Sequence, residues 1–146
     1  MTAVSPGDLK SIVAGLRKSE LLASLSDREL KRLARIALVR NVPKDSVLVR
    51  RSEKGIGFYV ILDGTVQVRK GGRNVARLGT GDFFGELALF DDRPRSADVV
   101  AVGPTTVAVL SRWEFWGFAS DRPEILRTIL QEMARRLEQT GRVPDL

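Results

Sequence analysis

Residues 58–72 read Phe58-Tyr-Val-Ile-Leu-Asp-Gly-Thr-Val-Gln-Val-Arg-Lys-Gly-Gly72. Two short runs in this stretch, Phe58–Leu62 and Thr65–Lys70, are rich in the β-branched and aromatic residues that favour strands. Each run ends at a dipeptide, Asp63-Gly64 or Gly71-Gly72, of the kind that two-residue hairpin turns require where φ is positive. The stretch therefore predicts two antiparallel strands, with a tight hairpin turn after each of them.

Further strand signals lie on both sides of this stretch, at intervals of roughly ten residues. Gly103-Pro104 separates the last two runs, which we expect to pair with each other. The predicted strands are Val47–Arg50, Val75–Leu78, Asp98–Val102 and Thr105–Leu110. The connections leave little room for crossover helices, so we expect antiparallel sheets, as in a barrel or a sandwich.

Both ends of the chain show helical periodicity instead. Apolar residues recur at helical spacing from Ser5 to about Leu38, which predicts two short helices joined near residues 22–25. Ser5-Pro6 has the sequence of a helix start, and Ser26 with Glu29 has the spacing of a capping box. No linker or internal repeat interrupts the chain. We expect a single domain over residues 1–146, with N-terminal helices over 1–38, a β region over 39–111 and helices over 112–140.

The C-terminal helical region has two features of its own. A cluster of aromatic residues crowds a short first helix, where it is either a moving hinge or, as we expect for most of it, core: Trp113, Phe115, Trp116 and Phe118. In the longer helix that follows, apolar residues have the spacing of a coiled-coil seam: Leu126, Leu130, Met133 and Leu137. This seam either packs on its own domain or forms the contact of a homodimer.

The residue types that are missing narrow the function. The sequence has no cysteine and no histidine, which excludes disulfides and thiolate metal sites and removes the commonest general base. We therefore expect a protein that is not an enzyme and that carries no metal or cofactor. We find no signal peptide, and the longest uncharged apolar run, Val99–Leu110, is too short to span a bilayer. These features predict a cytoplasmic protein without membrane contact.

The net charge of +6 is unevenly distributed along the chain. Residues 1–55 hold 12 basic and 6 acidic side chains, whereas residues 56–146 hold 12 of each. The N-terminal third is therefore either an electrostatic surface for nucleic acid or an acidic partner, or a set of helices whose Lys and Arg side chains are simply solvated. The basic residues are scattered through periodic apolar sequence, which favours the solvated helices.

Residues 79–97 carry the chemistry, and they read Gly79-Thr-Gly-Asp-Phe-Phe-Gly-Glu-Leu-Ala-Leu-Phe-Asp-Asp-Arg-Pro-Arg-Ser-Ala97. We expect one helical turn over Leu87–Phe90, opening at Gly85-Glu86, where unpaired N–H groups and the helix dipole favour an anion. Arg95 can present two N–H groups to phosphate oxygens. Glu86 is unfavourable beside an anion unless a donor, such as a sugar hydroxyl, compensates it. Alternatively, Glu86 and Arg95 form a surface ion pair that stabilises a loop.

Two segments, Phe84–Leu89 and Pro94–Ala97, together resemble the phosphate-binding cassette of the cyclic nucleotide-binding domain family. This family includes the catabolite activator protein, the regulatory subunits of cyclic AMP-dependent kinase and cyclic nucleotide-gated channels. Gly57–Gly64 and Gly81-Asp82 are also similar to the β-roll of the family. The resemblance covers nearly the whole chain. It implies a mainly β fold, an antiparallel eight-stranded β-roll of the jelly-roll type with flanking helices.

The resemblance also implies a role for each matching residue in binding a cyclic nucleotide. Glu86 would contact the ribose 2′-hydroxyl, and Arg95 would contact the cyclic phosphate. The remaining residues of the phosphate pocket would be Gly85, Leu87, Ala88, Ser96 and Ala97. Apolar side chains would form a wall around the ribose and base at Val68, Val75 and Leu78. Arg136 and Thr140 of the last helix would approach the base.

The resemblance favours cyclic AMP (cAMP) as the ligand, because threonine in place of Ser96 often accompanies selection of cyclic GMP (cGMP) in the family. We expect a sensor in which ligand binding moves the two C-terminal helices as a lid. Two alternatives stay open: a protein-interaction module on the same fold without a nucleotide, or the sensor fragment of a DNA-binding regulator or ion channel. No helix-turn-helix sequence follows the long helix, so we expect no direct nucleic-acid binding by this chain.

Overall fold

The computed structural model describes residues 8–55, 57–89 and 94–140, with Leu87, Ile129, Met133 and residues 136–140 described by their backbone alone. Helices occupy both ends of the chain and strands its middle. The elements in chain order are α1 (Leu9–Arg17), α2 (Asp27–Ile36), β1 (Leu38–Val42), β2 (Val47–Val49), β3 (Gly57–Asp63), β4 (Thr65–Lys70), β5 (Arg73–Gly79), β6 (Phe83–Phe84), a 3₁₀ helix (Glu86–Leu89), β7 (Asp98–Ala101), β8 (Thr105–Ser111), α3 (Arg112–Ala119) and α4 (Pro123–Thr140).

The strands form two four-stranded sheets, in the orders β1-β8-β3-β6 and β2-β7-β4-β5. Every pair of neighbouring strands is antiparallel. The predicted fold class is therefore confirmed: an eight-stranded antiparallel β-roll with helices before and after it.

Both faces of strand β3 are buried, because the strand lies between two hydrophobic cores. Its side chains alternate, so Phe58 and Val60 point to one hydrophobic core and Tyr59 and Ile61 to another. The first core lies between the sheet and the helices, and it includes Leu16, Leu30, Phe115 and Ile125. The second core fills the interior of the roll, and it includes Val66, Phe84, Val99 and Val107. This double burial explains the continuous apolar run that identified the strand in the sequence.

The predicted turn at Gly71-Gly72 is confirmed. These glycines have φ values of 57° and 79°, and they join Lys70 of β4 directly to its partner Arg73 of β5. Positive φ at both turn residues matches the right-handed twist of the two strands, which is why glycine is favoured at both positions.

The hairpin expected at Asp63-Gly64 is wrong, and so is the strand pair expected around Gly103-Pro104. Strand β3 pairs with β8 and β6, whereas β4 pairs with β5 and β7, so Gly64 is a corner where the chain passes from one sheet to the other. Gly103-Pro104 is a second corner, since β7 and β8 also lie in different sheets. A local turn signal shows where the chain bends, but the partner of each strand is set by burial of its apolar face.

The helical ends differ from the sequence-based expectation in detail. The capping box of Ser26 and Glu29 at the start of α2 is confirmed. The start of α1 is not at Ser5-Pro6, which lies outside the described residues; α1 begins at Leu9, and its N-cap is Asp8, whose side chain accepts from the N–H of Ser11. Two strands, β1 and β6, were not predicted. No helix among the described residues is long and apolar enough to cross a bilayer.

The aromatic cluster on α3 is only partly core. Phe115 and Phe118 are buried, but the side chain of Trp113 is 77% exposed. On α4, Leu126 packs against the first core while Leu130 is 59% exposed. Of the predicted seam, Leu126 therefore packs on its own domain and Leu130 does not, while the side chains of Met133 and Leu137 lie outside the described part of the structure.

Candidate functional site

The site begins at a sharp bend between β6 and the 3₁₀ helix. Strand β6 pairs with β3, where Phe84 lies opposite Tyr59. Gly85 follows with a φ of 79°, a left-handed conformation that side-chain-bearing residues rarely adopt. The predicted helical turn is present as a 3₁₀ helix over Glu86–Leu89, in which the Ala88 N–H donates to the Gly85 carbonyl at 3.1 Å.

Arg95 returns to this bend from the other end of the cassette. Its Nη1 donates to the carbonyl of Gly85 at 3.0 Å, and its Nη2 donates to the carbonyl of Gly57 at 2.6 Å. Its backbone is held by the loop after β2, because the Arg95 N–H donates to the Glu53 carbonyl at 2.8 Å and its own carbonyl accepts from Ser52 N–H at 2.9 Å. The guanidinium is therefore fixed in position rather than free on the surface.

The electrostatic environment of Arg95 is that of a partly buried cation. Burial lowers the pKa of the Arg95 guanidinium, while the charge of the Glu86 carboxylate acts in the opposite direction. Among the described residues, no carboxylate lies at ion-pair distance from it. A half-buried cation whose partners in the described ranges are neutral carbonyls is suited to binding an anion.

The structure brings Glu86 into the same neighbourhood. Glu86 is the first residue of the 3₁₀ helix, directly after Gly85, and its side chain is partly buried. The residue before it, Gly85, accepts from Nη1 of Arg95 at 3.0 Å, so the backbone of Glu86 lies next to the guanidinium. The loop ion pair considered from the sequence is absent from the ion pairs formed by the described residues.

Ser96 and Ala97 continue the chain from Arg95 and are both partly buried. Neither forms a hydrogen bond with any described residue, so their N–H groups and the Ser96 hydroxyl are donors with capacity to spare. Ala88 is buried, at 5% exposure. Leu87 lies in the 3₁₀ helix, and its side chain is outside the described part of the structure.

A cleft of about 140 Å³ reaches Arg95 from the side of β2. It lies between β2 and Tyr59 of β3, whose hydroxyl donates to the Leu48 carbonyl at 3.3 Å. The lining residues are Val47, Leu48, Val49, Arg50, Glu53, Lys54, Gly55, Tyr59 and Arg95. Of these, only Arg95 was identified from the sequence. The glycines at positions 55 and 57 could have indicated this side of the cleft in the sequence. A Cβ at Gly55 would collide with the Arg95 guanidinium, so glycine is needed there.

The three apolar residues expected around the ribose and base do not share one environment. Val68 and Leu78 are partly buried and pack against the core inside the roll. Val75 is 44% exposed and is the extra residue of a β-bulge, because Val68 pairs with Ala76 and Arg69 pairs with Asn74. The contact of each with a nucleotide stays a prediction.

The two residues expected to approach the base, Arg136 and Thr140, both lie on α4. Their side chains are outside the described part of the structure, so their roles stay predictions. No cluster of acidic residues that could hold a metal ion is found in the described ranges.

Comparison with known proteins adds independent information. The family model for the cyclic nucleotide-binding domain matches residues 39–122, a range that begins within β1 and contains β2 to β8 and all of α3. The cAMP-dependent protein kinase regulatory subunit of Debaryomyces hansenii is 36% identical over 114 residues, which are 77% of this chain and 25% of that protein. A cyclic nucleotide-gated potassium channel of Rhizobium etli is 34% identical over 116 residues, 80% of this chain and 32% of the channel.

Among solved structures, the catabolite activator protein of Thermus thermophilus superposes with a TM-score of 0.78 at 28% sequence identity. The superposition covers 84% of this chain and 60% of that protein. The chain thus matches only part of each relative: 25% of the length of the kinase regulatory subunit and 32% of the length of the channel. In each case the rest of the larger protein is unmatched.

Proposed function

The chain belongs to the cyclic nucleotide-binding domain family, and from this premise we propose that it is a sensor domain that binds cAMP. In this proposal Arg95 binds the cyclic phosphate, and Ser96, Ala97 and the backbone around Gly85 complete the phosphate pocket. The domain is regulatory, and it carries out no reaction on the nucleotide.

The observation that carries the proposal is the state of the Arg95 guanidinium. It is partly buried, it is anchored by two carbonyls, and no described carboxylate neutralises it. A cyclic phosphate diester carries a single negative charge, so it would pair with the guanidinium through charge-assisted hydrogen bonds. Two of the five N–H donors of Arg95 are used by Gly85 and Gly57, and the other three donate to no described side chain or carbonyl, so they would be directed to the ligand.

Glu86 supports a nucleotide over a simple inorganic anion. A carboxylate next to the phosphate pocket repels an anion unless the ligand also brings a donor to it. The ribose 2′-hydroxyl of a cyclic nucleotide is such a donor, and Glu86 would accept its hydrogen bond. The same carboxylate disfavours the doubly charged phosphate of linear AMP. Glu86 thus favours a ribose-bearing monoanion.

Ligand binding is further proposed to shift an equilibrium between arrangements of α3 and α4. A ligand can shift such an equilibrium only by binding one arrangement better than the other. Helix α3 is suited to this role, since it starts directly at the end of β8 and packs beside the 3₁₀ helix that carries Glu86. The name of the Debaryomyces hansenii relative, a cAMP-dependent kinase regulatory subunit, supports cAMP as the ligand that drives the shift.

A protein-interaction role is a second candidate, favoured by the exposed apolar side chains of the C-terminal helices. Trp113 is 77% exposed, and tryptophan is enriched among the residues that dominate protein interfaces. Leu130 of α4 is 59% exposed and adds apolar surface. They would contact a downstream protein, the remainder of a larger regulator or channel, or a second copy of this chain through α4.

A thermal-shift measurement with cAMP, cGMP and linear AMP tests the proposal. A ligand present at a hundredfold excess over its Kd stabilises the folded state by about 2.7 kcal/mol. For a domain of this size that corresponds to an increase in Tm of about 5 °C or more. We expect the largest increase with cAMP, a smaller one with cGMP and none with AMP. An unchanged Tm with both cyclic nucleotides would favour the protein-interaction module instead.

A further inference from the structure

Two side chains of α3 donate hydrogen bonds to the end of the 3₁₀ helix. Nε of Arg112 donates to the carbonyl of Ala88 at 2.7 Å, and the indole N–H of Trp116 donates to the carbonyl of Leu89 at 2.6 Å. The last carbonyls of a helix have no partner within the helix and must be satisfied from outside. Helix α3 supplies both partners here.

The two donors are positioned by the same helix. Arg112 and Trp116 are four residues apart on α3, so they lie on one face of it. Between them in sequence, Phe115 is fully buried and packs edge-to-face on Phe58 of β3, with ring centroids 5.2 Å apart. The start of α3 is capped by the Ser111 side chain, which accepts from the N–H of Glu114 at 3.3 Å. Helix α3 is therefore anchored in the core while its polar face reaches to the 3₁₀ helix.

The other tryptophan of α3, Trp113, differs from Trp116 in its exposure and in its contacts. Trp113 is 77% exposed, and its ring contacts the guanidinium of Arg112, 5.8 Å from the ring centroid. Trp116, three residues later, is partly buried and packs edge-on to Phe115. The chain contains two tryptophans, so these residues account for all of its indole fluorescence.

We propose that Arg112 and Trp116 are positioning residues that hold the 3₁₀ helix at its carbonyl end and so fix Glu86 at the other end. The same two hydrogen bonds transmit a ligand-driven displacement of the 3₁₀ helix to α3. This inference rests on the proposed function, because it takes the binding of cAMP at Arg95 and Glu86 as its starting point. It adds the physical link between that site and the C-terminal helices.

Two single-tryptophan variants test the link directly. Trp113→Phe leaves Trp116 as the only tryptophan, and Trp116→Phe leaves Trp113. We expect saturating cAMP to change the emission of the Trp113→Phe protein, because its indole N–H follows the 3₁₀ helix, and to change the emission of the Trp116→Phe protein less, because its remaining indole is exposed to solvent. A role for Trp116 that is only structural would produce no ligand-dependent change.

Calorimetric titration of the same variants with cAMP tests whether the two hydrogen bonds position the 3₁₀ helix for binding, because it measures their effect on affinity. Loss of one hydrogen bond, about 0.5–1.5 kcal/mol, corresponds to an affinity decrease of about twofold to tenfold for Trp116→Phe. Trp113→Phe serves as the matched control and should bind within about twofold of the wild type. Arg112→Met removes the other donor while keeping an aliphatic side chain, and it should also bind more weakly. Circular dichroism establishes that each variant is folded.

The outcomes separate this inference from the proposed function. If the wild-type protein shows no heat of binding with cAMP, the proposed function fails and this inference fails with it. If the wild type binds cAMP, either of two results overturns the inference alone. One is an emission spectrum of the Trp113→Phe protein that saturating cAMP does not change. The other is wild-type affinity in both the Trp116→Phe and the Arg112→Met proteins.

Discussion

The backbone carbonyl of Gly85 accepts a hydrogen bond from Nη1 of Arg95 at 3.0 Å, and a Cβ on Gly85 would lie only 2.6 Å from the same nitrogen. The absence of a side chain at residue 85 is therefore what allows the guanidinium to rest against the bend before the 3₁₀ helix. This contact joins the two ends of the cassette, which are ten residues apart in sequence.

Replacing Gly85 with alanine should weaken cAMP binding by at least about tenfold, equivalent to about 1.4 kcal/mol. The new methyl group would displace the guanidinium from the position in which it meets the phosphate. Left-handed backbone at an alanine also costs about 1–2 kcal/mol of stability. Calorimetry gives the affinity, and urea denaturation gives the free energy of unfolding.

Gly72→Ala is the matched control, because Gly72 has the same φ of 79° and a Cβ there would meet no atom within 4 Å. Gly85→Ala should lose at least as much stability as Gly72→Ala, because its methyl group also meets the Arg95 guanidinium, but only Gly85→Ala should lose affinity. Equal cAMP affinities in the two variants would show that the contact between Gly85 and Arg95 has no part in binding.

Replacing Ser96 with alanine should separate binding from stability. The Ser96 hydroxyl makes no hydrogen bond with the described residues, so its removal should change the free energy of unfolding by less than about 0.5 kcal/mol. In the proposed complex it donates to the phosphate, and a hydrogen bond to a charged group contributes about 1.5–3 kcal/mol. We therefore expect the Kd for cAMP to rise by about tenfold or more. A stable Ser96→Ala protein with wild-type affinity would remove Ser96 from the site.

Glu29 of α2 and Arg122 connect the N-terminal helices to the junction between α3 and α4. Nε of Arg122 donates to Oε2 of Glu29 at 2.6 Å, and the other Glu29 oxygen, Oε1, accepts from the Ser26 N–H at 3.1 Å. The Arg122 guanidinium also lies 4.5 Å from the ring centroid of Phe118. The hydrogen bonds from Ser26 and then from Arg122 lower the pKa of Glu29 below its ordinary value of 4.5.

Stability should therefore depend on pH through Glu29. Because the pKa of Glu29 is lower in the folded state, its stabilising contribution is present above pH 4.5 and is lost as the pH falls through the folded value. Glu29→Gln keeps an oxygen for the capping box but removes the charge, and at neutral pH it should destabilise the protein by about 1–2 kcal/mol. The difference between the variant and the wild type should shrink at about pH 3.5.

Asp27→Asn is the control for this pair. Asp27 lies in the same first turn of α2, but its ion pair with Arg17 is exposed, with side-chain exposures of 77% and 44%. Exposed ion pairs contribute less than about 1 kcal/mol, so this variant should unfold nearly as the wild type does. A Glu29→Gln destabilisation of the same size at both pH values would contradict the role assigned to the charge.

The sequence was sufficient to predict those parts of the fold that depend on local chemistry. The apolar run Phe58–Leu62, the turn at Gly71-Gly72 and the capping box at Ser26 all follow from backbone preferences and burial of neighbouring residues. The sheet to which each strand belongs cannot be predicted from such local features. Gly64 and Gly103-Pro104 mark corners between sheets, and a dipeptide that bends the chain does not show whether the strands on its two sides pair with each other.

In the candidate site, too, the contacts within one segment could be predicted and the contacts between distant segments could not. Gly85, Glu86 and Arg95 lie close together in sequence, so their juxtaposition could be inferred from one segment. Tyr59 and the loop around Glu53 reach Arg95 only through the pairing of β3 and the course of the chain after β2. The hydrogen bonds of Arg112 and Trp116 could not be predicted from the sequence. Trp116 belongs to a cluster of aromatic residues, and such a cluster indicates core packing rather than a polar contact.

Calorimetric titration of cAMP into the wild-type protein and an Arg95→Lys variant tests the central claim most directly. Lysine keeps the charge but cannot present the two parallel N–H donors of a guanidinium, so we expect the affinity to fall by about tenfold or more. Arg40→Lys, on the exposed surface of β1, makes the same chemical change away from the cleft and should bind cAMP as the wild type does. An Arg95→Lys protein that binds cAMP with unchanged affinity would contradict the assignment of the site.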